Sequence, residues 1–424
     1  MKYLIEAPDI LDTTIELPSS KSISNRALII SAMASAYNNE PLVLPDNLSD
    51  CDDTEVVVNA LKNMPETIDI KAAGTAMRFM TAWLCICEGQ SHTITGTERM
   101  RHRPIKILVD VLRHLGADIE YTGEEGYPPL KIKGKKIKGG RISIPGNISS
   151  QYISALLLIA PAMENGLRLT LTGNIVSRPY IDLTLSVMND FGADAEWTGV
   201  DTIEVKPQMY KSRHYYIEND WSAASYWYEM MALFCNEKCS VQLGGLMDSS
   251  RQGDAQVKYI FSMLGVKTSF ETRKAMSPTV VTLSYHDNQL PRVDFDFTHQ
   301  PDLAQTLIAT CLACGMHFHF RGLASLKIKE TDRIEALKRE LEKLGYKVKD
   351  EDGRVMTWDG ERCEAMETPC IDTYEDHRMA MAFAPAANKL KGIVVNKPMV
   401  VTKSYPHFWE EVFVVEDRGA AEEK

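Results

Sequence analysis

No apolar run in this 424-residue chain reaches the roughly 18 residues that a membrane-crossing helix needs, so a spanning helix is excluded. The opening Met1-Lys2-Tyr3-Leu4-Ile5-Glu6 lacks the basic stretch and apolar core of an export signal, which points to the cytoplasm. Positive charge is in short supply. Lys and Arg number 47 against 58 Asp and Glu, a net −11, which disfavours nucleic acid as the main partner. A cleft that is locally basic toward small anions remains compatible with an acidic whole. Cysteine occurs nine times, but without metal-site spacing. Cys85-Ile86-Cys87 and Cys311-Leu312-Ala313-Cys314 lie in apolar runs with no His or Cys pair nearby. They read as buried thiols acting as small hydrophobes, and no metal site is expected. No linker is rich in Pro or Gly, and only Glu416 to Lys424 reads as a solvated tail.

What is present is α/β grammar, repeated. The length exceeds what a single core supports, so two domains are expected. Ile105, Leu108, Leu112 and Leu115 form a helix stripe that Gly116 should stop, followed by strand, polar turn and strand. The unit recurs around Gly192, Gly265 and Gly345, the last after Ile334, Leu337, Leu341 and Leu344. Spacings this long exceed the ~20–50 residues of solenoid repeats and suit larger βαβ-type units, each burying a helix on a sheet. The chain should cross between domains near Pro18-Ser19 and again near 216–222. One domain would then be 19–220, and the other 1–18 with 221–424.

Cations gather at helix starts. In Ser19-Ser20-Lys21-Ser22-Ile23-Ser24-Asn25-Arg26 a serine-rich turn presents free backbone N–H groups beside Lys21 and Arg26, which reads either as an anion site or as a plain serine cap. Ala73-Gly74-Thr75-Ala76-Met77-Arg78 would let a ligand approach the backbone at Gly74. Ser149-Ser150-Gln151 and Ser177-Arg178-Pro179-Tyr180 open further helices with groups suited to phosphate or hydroxyl recognition, or to capping alone. In Lys329-Glu330-Thr331-Asp332-Arg333, Asp332 looks like a helix cap with Glu335 as its N3 partner, and Glu330 sits among cations. Asp376-His377-Arg378 and Lys403-Ser404-Tyr405-Pro406 add cations near the C-terminal end, and Asp302 begins an apolar helix. Such a set suits a ligand with several negative charges, since phosphates and carboxylates favour charge-assisted contacts.

In this order the motifs resemble those of the 5-enolpyruvylshikimate-3-phosphate synthases, over essentially the whole chain from Ser20-Lys21-Ser22 to Lys403-Ser404-Tyr405-Pro406. The resemblance implies an inside-out α/β barrel of two domains, each with three βαβαββ repeats and with the active site in the cleft between them. It implies transfer of the enolpyruvyl group of phosphoenolpyruvate to the 5-hydroxyl of shikimate 3-phosphate, on the route to chorismate and aromatic amino acids, by a monomer without metal or organic cofactor. Lys21, Ser22, Arg26, Ser149, Ser150, Gln151, Ser177, Tyr180, Asp302, Ser325 and Lys329 would hold shikimate 3-phosphate. Phosphoenolpyruvate would meet Lys21, Gly74, Arg103, Gln151, Arg333, Arg378 and Lys403. Asp302 would take the hydroxyl proton, Glu330 would carry the methylene proton, and Lys21 would serve both substrates, with Arg78 and His377 in support. Glyphosate would compete with phosphoenolpyruvate beside Gly74.

This chain departs from the family's usual pattern at Ala72 and Ser325, both commonly Asn, and at Phe79, commonly Pro. The paralogous transferase acting on UDP-N-acetylglucosamine shares fold and donor, but carries Lys-Asn in its first motif and a cysteine on a loop. Here Lys21 precedes Ser22, and no cysteine lies between Cys87 and Cys235. Against a non-catalytic anion-binding paralogue stand Lys21, Asp302, Glu330 and Lys403.

Overall fold

The computed structural model describes residues 1–272, 277–390, 392–411 and 413–418. The chain divides into two compact units, Ser19–Ile217 and Met1–Pro18 with Glu218–Lys424. The second crossing therefore falls at 217/218 rather than at 220/221. Glu218 is tied to the larger unit. Its buried carboxylate accepts from Trp221 Nε1 (2.8 Å), Met247 N (2.8 Å), Ser250 Oγ (2.7 Å) and Gln252 Nε2 (2.9 Å), all in the larger unit.

In Ser19–Ile217, strands Thr67–Asp69, Ser91–Thr95, Leu130–Lys133 and Asp118–Tyr121 lie in that spatial order, the first pair parallel and the rest antiparallel. Helix Gly74–Leu84 joins the parallel pair, and Lys106–His114 leads into the hairpin, a βαβαββ unit. Gly140–Pro145, Leu167–Thr172, Thr202–Val205 and Ala195–Trp197 repeat it with helices Ser150–Ile159 and Arg178–Asp190.

The other unit holds three such sheets, built on Asp12–Ile15 with Ser240–Leu246, on Arg292–Asp296 with His317–Arg321, and on Cys370–Asp372 with Val394–Asn396. In Ser19–Ile217 the third copy is reduced, among the described residues, to a single parallel bridge between Asp46 and Tyr216. Pro41 and Pro45 lack the N–H that a ladder needs, and Asn47 at φ 55° ends the extended run. Each of the five described sheets is an open row of four strands, none closed into a barrel.

Two kinds of helix make the arrangement inside-out. Gly74–Leu84, Ser150–Ile159, Trp221–Phe234, Ala304–Ala313 and His377–Phe383 are apolar on nearly every side and are buried almost throughout. A helix without a polar face has to be enclosed. Lys106–His114 and Arg333–Lys343 are one-sided, and their stripes Ile105/Leu108/Leu112/Leu115 and Ile334/Leu337/Leu341/Leu344 face the cores. Gly116 and Gly345 follow them at φ 109° and 84°, a left-handed stop that side chains resist.

The expected tail is shorter than the sequence suggested. Glu416 and Asp417 belong to strand Val414–Asp417, paired with Leu4 and Tyr3, while 419–424 lie outside the described residues. Pairing covers one edge of strand Lys2–Glu6, and the charged side chains still face water. Among the described residues no helix is long and apolar enough to cross a membrane.

Candidate active site

In Ser19–Ile217 the predicted residues collect at four helix starts. Ser20 caps Lys21–Asn38, accepting from Ile23 N at 3.5 Å, and Lys21 Nζ lies 3.1 Å from Asp53 Oδ2. The Asp53 carboxylate is nearly buried, so it fixes the ammonium in place. Arg26 lies deeper than the sequence suggested. Its Nε donates to Thr184 Oγ1 (2.7 Å), Nη1 to the Ser22 carbonyl (2.7 Å), and Nη2 to Ser154 Oγ and the Tyr180 carbonyl (both 3.2 Å). Four of the five guanidinium donors are thereby used on three helices. Burial lowers the Arg26 pKa to about 10. Phe79, where the family usually has Pro, lies under this guanidinium, 5.4 Å from ring centroid to Cζ.

Gly74 opens its helix without a side-chain cap, and a Cβ there would fall 2.6 Å from Arg103 Nη1. Arg78 braces both partners, donating to the Gly74 carbonyl (3.1 Å) and to the Pro104 carbonyl (3.3 Å). Gln151 Nε2 reaches Thr75 Oγ1 at 3.1 Å, which joins the Ser149-Ser150-Gln151 start to the Gly74 start. Ser149 caps that helix, accepting from Gln151 N at 3.3 Å. Ser177 precedes Arg178–Asp190 in a left-handed conformation (φ 53°), and its carbonyl accepts from Tyr180 N. Non-glycine residues seldom adopt that conformation, and strain of this kind concentrates at functional sites.

In the other unit, four cations and three carboxylates interlock. Asp302, in the single turn Pro301–Leu303, places Oδ1 3.1 Å from Arg333 Nη1 and 3.3 Å from Lys329 Nζ, and Oδ2 3.2 Å from Arg378 Nη2. Glu330 is clamped likewise, Oε2 to Arg333 Nη2 at 2.9 Å and Oε1 to Lys403 Nζ at 3.0 Å. Asp332 does cap Arg333–Lys343, accepting from Ile334 N and Glu335 N, whereas Glu335 turns outward to Lys338. Ser325 lies in the turn Ala324–Ile328. His377 is buried, its Nδ1 3.8 Å from Asp376 Oδ1.

Three of this unit's partners were not singled out by sequence. Asp376 Oδ2 takes Arg333 Nε at 2.7 Å while Oδ1 caps the next helix through Arg378 N. Tyr226 OH accepts from Arg378 Nη1 at 3.3 Å. Asp254 is fully enclosed and bonded by Ser222 Oγ. Asp376 stood in a noted motif at a helix-capping position, which was a usable signal; Tyr226 and Asp254 carried none.

Burial alone would raise the Asp302 pKa, but Arg378, Lys329 and Arg333 outweigh it and hold the carboxyl well below the usual range. Asp254 shows the opposite balance: burial, then the charge of Asp302, push it up to about 6. Among the described residues no group of three or more His, Cys, Asp or Glu is placed to hold a metal ion.

A family model described as EPSP synthase (3-phosphoshikimate 1-carboxyvinyltransferase) matches residues 5–69 and 63–412. The chain belongs to the EPSP synthase family. A 3-phosphoshikimate 1-carboxyvinyltransferase of Bacteroides fragilis is 53% identical over 412 residues, 97% of each chain. One from Haemophilus influenzae is 35% identical over 432 residues, covering 95% of this chain and 96% of that protein. The structure of EPSP synthase from Acinetobacter baumannii matches with a TM-score of 0.77 at 20% identity, over 98% of this chain and 100% of that one, a likeness of fold. The two clamped carboxylates thus stand in an EPSP synthase fold.

Proposed function

We propose that this chain transfers the enolpyruvyl group of phosphoenolpyruvate to the 5-hydroxyl of shikimate 3-phosphate and releases phosphate. The observation that carries the proposal is the pair Asp302 and Glu330, each carboxylate held by its own set of cations and both sharing Arg333. The reaction needs two such groups. Glu330 delivers a proton to the methylene carbon, Asp302 takes the proton of the attacking hydroxyl, and a tetrahedral adduct forms. Phosphate then leaves, taking up the proton held by Asp302, and the methyl group returns a proton to Glu330. Arg333, Arg378 and Lys403, with Lys21 and Arg103, stabilise the carboxylate and the departing phosphate.

The depressed Asp302 pKa fits this scheme. Substrate anions that draw Arg333 and Arg378 away from Asp302 remove what holds its pKa low, and make it a stronger base when it is needed. Ser22, Ser149, Ser150, Gln151, Ser177, Tyr180, Ser325 and Lys329 hold shikimate 3-phosphate, and Arg26 braces the helix starts that present several of them. Arg78 keeps the Gly74 turn in place, and His377 packs behind Arg378. The protein works as a cytoplasmic monomer.

Phosphate release measured with shikimate 3-phosphate, and separately with UDP-N-acetylglucosamine, tests the proposal. Release with the first acceptor alone is expected. Release with the UDP-sugar alone would assign the chain to the paralogous transferase, and release with neither would make it an anion binder.

A further inference from the structure

Two helices of the larger unit, Trp221–Phe234 and Ala304–Ala313, pack on each other, and each ends on a cysteine. Cys235 caps the first in a left-handed conformation (φ 47°), and Cys314 caps the second (φ −81°). Both sulfurs turn back to one acceptor. Cys235 Sγ lies 2.6 Å and Cys314 Sγ 3.9 Å from the Ala232 carbonyl oxygen. Gln289 Nε2 donates to Cys235 Sγ at 3.2 Å from the other side.

Depth separates this pair from most of its neighbours. Cys51, Cys85, Cys239 and Cys311 are buried, as expected of structural thiols, whereas Cys235 and Cys314 are half-buried. A reactive cysteine needs access and a neighbour that stabilises its thiolate. The Cys314 thiol acts first in holding Cys235 down to about 6, against burial and with help from Gln289 and Lys389. The same contact, then burial, drives Cys314 upward. Cys235 must release the proton that it donates to the Ala232 carbonyl before its sulfur can attack, and the Gln289 amide then stabilises the thiolate.

We propose that Cys235 and Cys314 are a thiol modification site, which a hydroperoxide oxidises reversibly to a disulfide. The Cys235 thiolate attacks the peroxide oxygen, the O–O bond breaks, and the leaving oxygen departs as water or alcohol once protonated, giving a sulfenic acid. The Cys314 sulfur then attacks Cys235 Sγ and the S–O bond breaks. The departing hydroxide takes the Cys314 proton and leaves as water. Both electrons come from the two sulfurs, and the peroxide is reduced by two electrons. The resulting bond would tie together the ends of two helices. The turn holding Asp302 precedes the first residue of one, and the other carries Tyr226.

The test treats the full chain with hydrogen peroxide, blocks remaining thiols with iodoacetamide, and maps peptides by mass spectrometry. We expect a Cys235–Cys314 cross-linked peptide, a fall in free thiols from nine to seven, and recovery with dithiothreitol. In Cys314→Ser the cross-link should vanish and a dimedone-trapped sulfenic acid should appear at Cys235. Exposed Cys363 is the internal control. Oxidation at Cys363 with Cys235 and Cys314 both still alkylated overturns the proposal, as does irreversible oxidation of Cys235 with Cys314 left free. The decisive readout is on the unmutated chain, so it does not depend on a variant folding.

Discussion

The guanidinium of Arg103 occupies the space that a side chain on Gly74 would need: an added Cβ would fall 2.6 Å from Nη1 and 3.2 Å from both Cζ and Nη2. The obstacle is the end of a flexible side chain, so Gly74→Ala should fold normally but push Arg103 aside. On the proposed function, a weakened Arg103 contact should raise KM for phosphoenolpyruvate. Glyphosate, which the family resemblance places beside the same glycine and which has a longer backbone, should lose more. Inhibition constants for the two proteins decide the matter, and equal constants would show that Gly74 does not gate the pocket.

Glu330→Gln should lower kcat by ~10²–10⁴, the range for a lost proton-transfer group. Shikimate 3-phosphate affinity should hardly move, because the amide keeps the size of the carboxylate. Single-turnover kinetics with an independent binding titration separates the two effects. A near-normal rate would leave Glu330 as a mere counter-ion for Lys403 and Arg333.

Arg26→Lys should cost stability rather than charge. Lys keeps the positive charge but cannot reach Thr184, Ser154, the Ser22 carbonyl and the Tyr180 carbonyl together. A loss of about 2–4 kcal/mol is expected for abandoned buried partners. Denaturant unfolding measures it, and an unchanged midpoint would contradict the bracing role.

Asp302 and Asp254 should titrate with opposite signs. Depression of Asp302 in the fold means that the unfolded chain binds the proton first on acidification. Its contribution is present above the ordinary carboxyl value of about 3.9 and fades as pH falls below that toward the folded value. The stability gap between the parent and Asp302→Asn should therefore narrow as pH drops below about 4. Asp254 is raised to about 6, so its contribution is complete below about 3.9 and is lost as pH climbs through 6. Asp254→Asn should gain on the parent between those values. Thermal melts across pH test both, and a gap that ignores pH in either pair would refute that assignment.

The helices were legible because packing writes a period into the sequence. Ile105, Leu108, Leu112 and Leu115 read as one face, and the structure buries that face. Asp332 was legible as a cap for the same local reason. Ion pairing leaves no such mark. Arg333 meets Asp376 across 43 positions of chain, and Lys21 meets Asp53 across 32, spacings that no helix or strand repeat predicts. The depth of Arg26 was not legible either: a cation at a serine-rich helix start reads as an anion site or a plain cap, and neither shows that its helix is enclosed on nearly every side with the guanidinium inside. The missing third sheet of Ser19–Ile217 was hidden too, because Pro41 and Pro45 interrupt hydrogen bonding without interrupting the count of repeats.

Strand Lys2–Glu6 pairs with Val394–Asn396 on one side and Val414–Asp417 on the other. On a ribosome it is therefore made well before its partners and must wait for them some 390 residues downstream, roughly 20–80 seconds at about 5–20 residues per second. Ser19–Ile217, continuous in sequence, has all its own partners long before then. The order of synthesis leaves the Asp302–Glu330 unit as the late-folding half, with an unpaired strand exposed meanwhile. A ribosome-stalled chain ending near 250 should protect Ser19–Ile217 from protease and leave the first eighteen residues open to it.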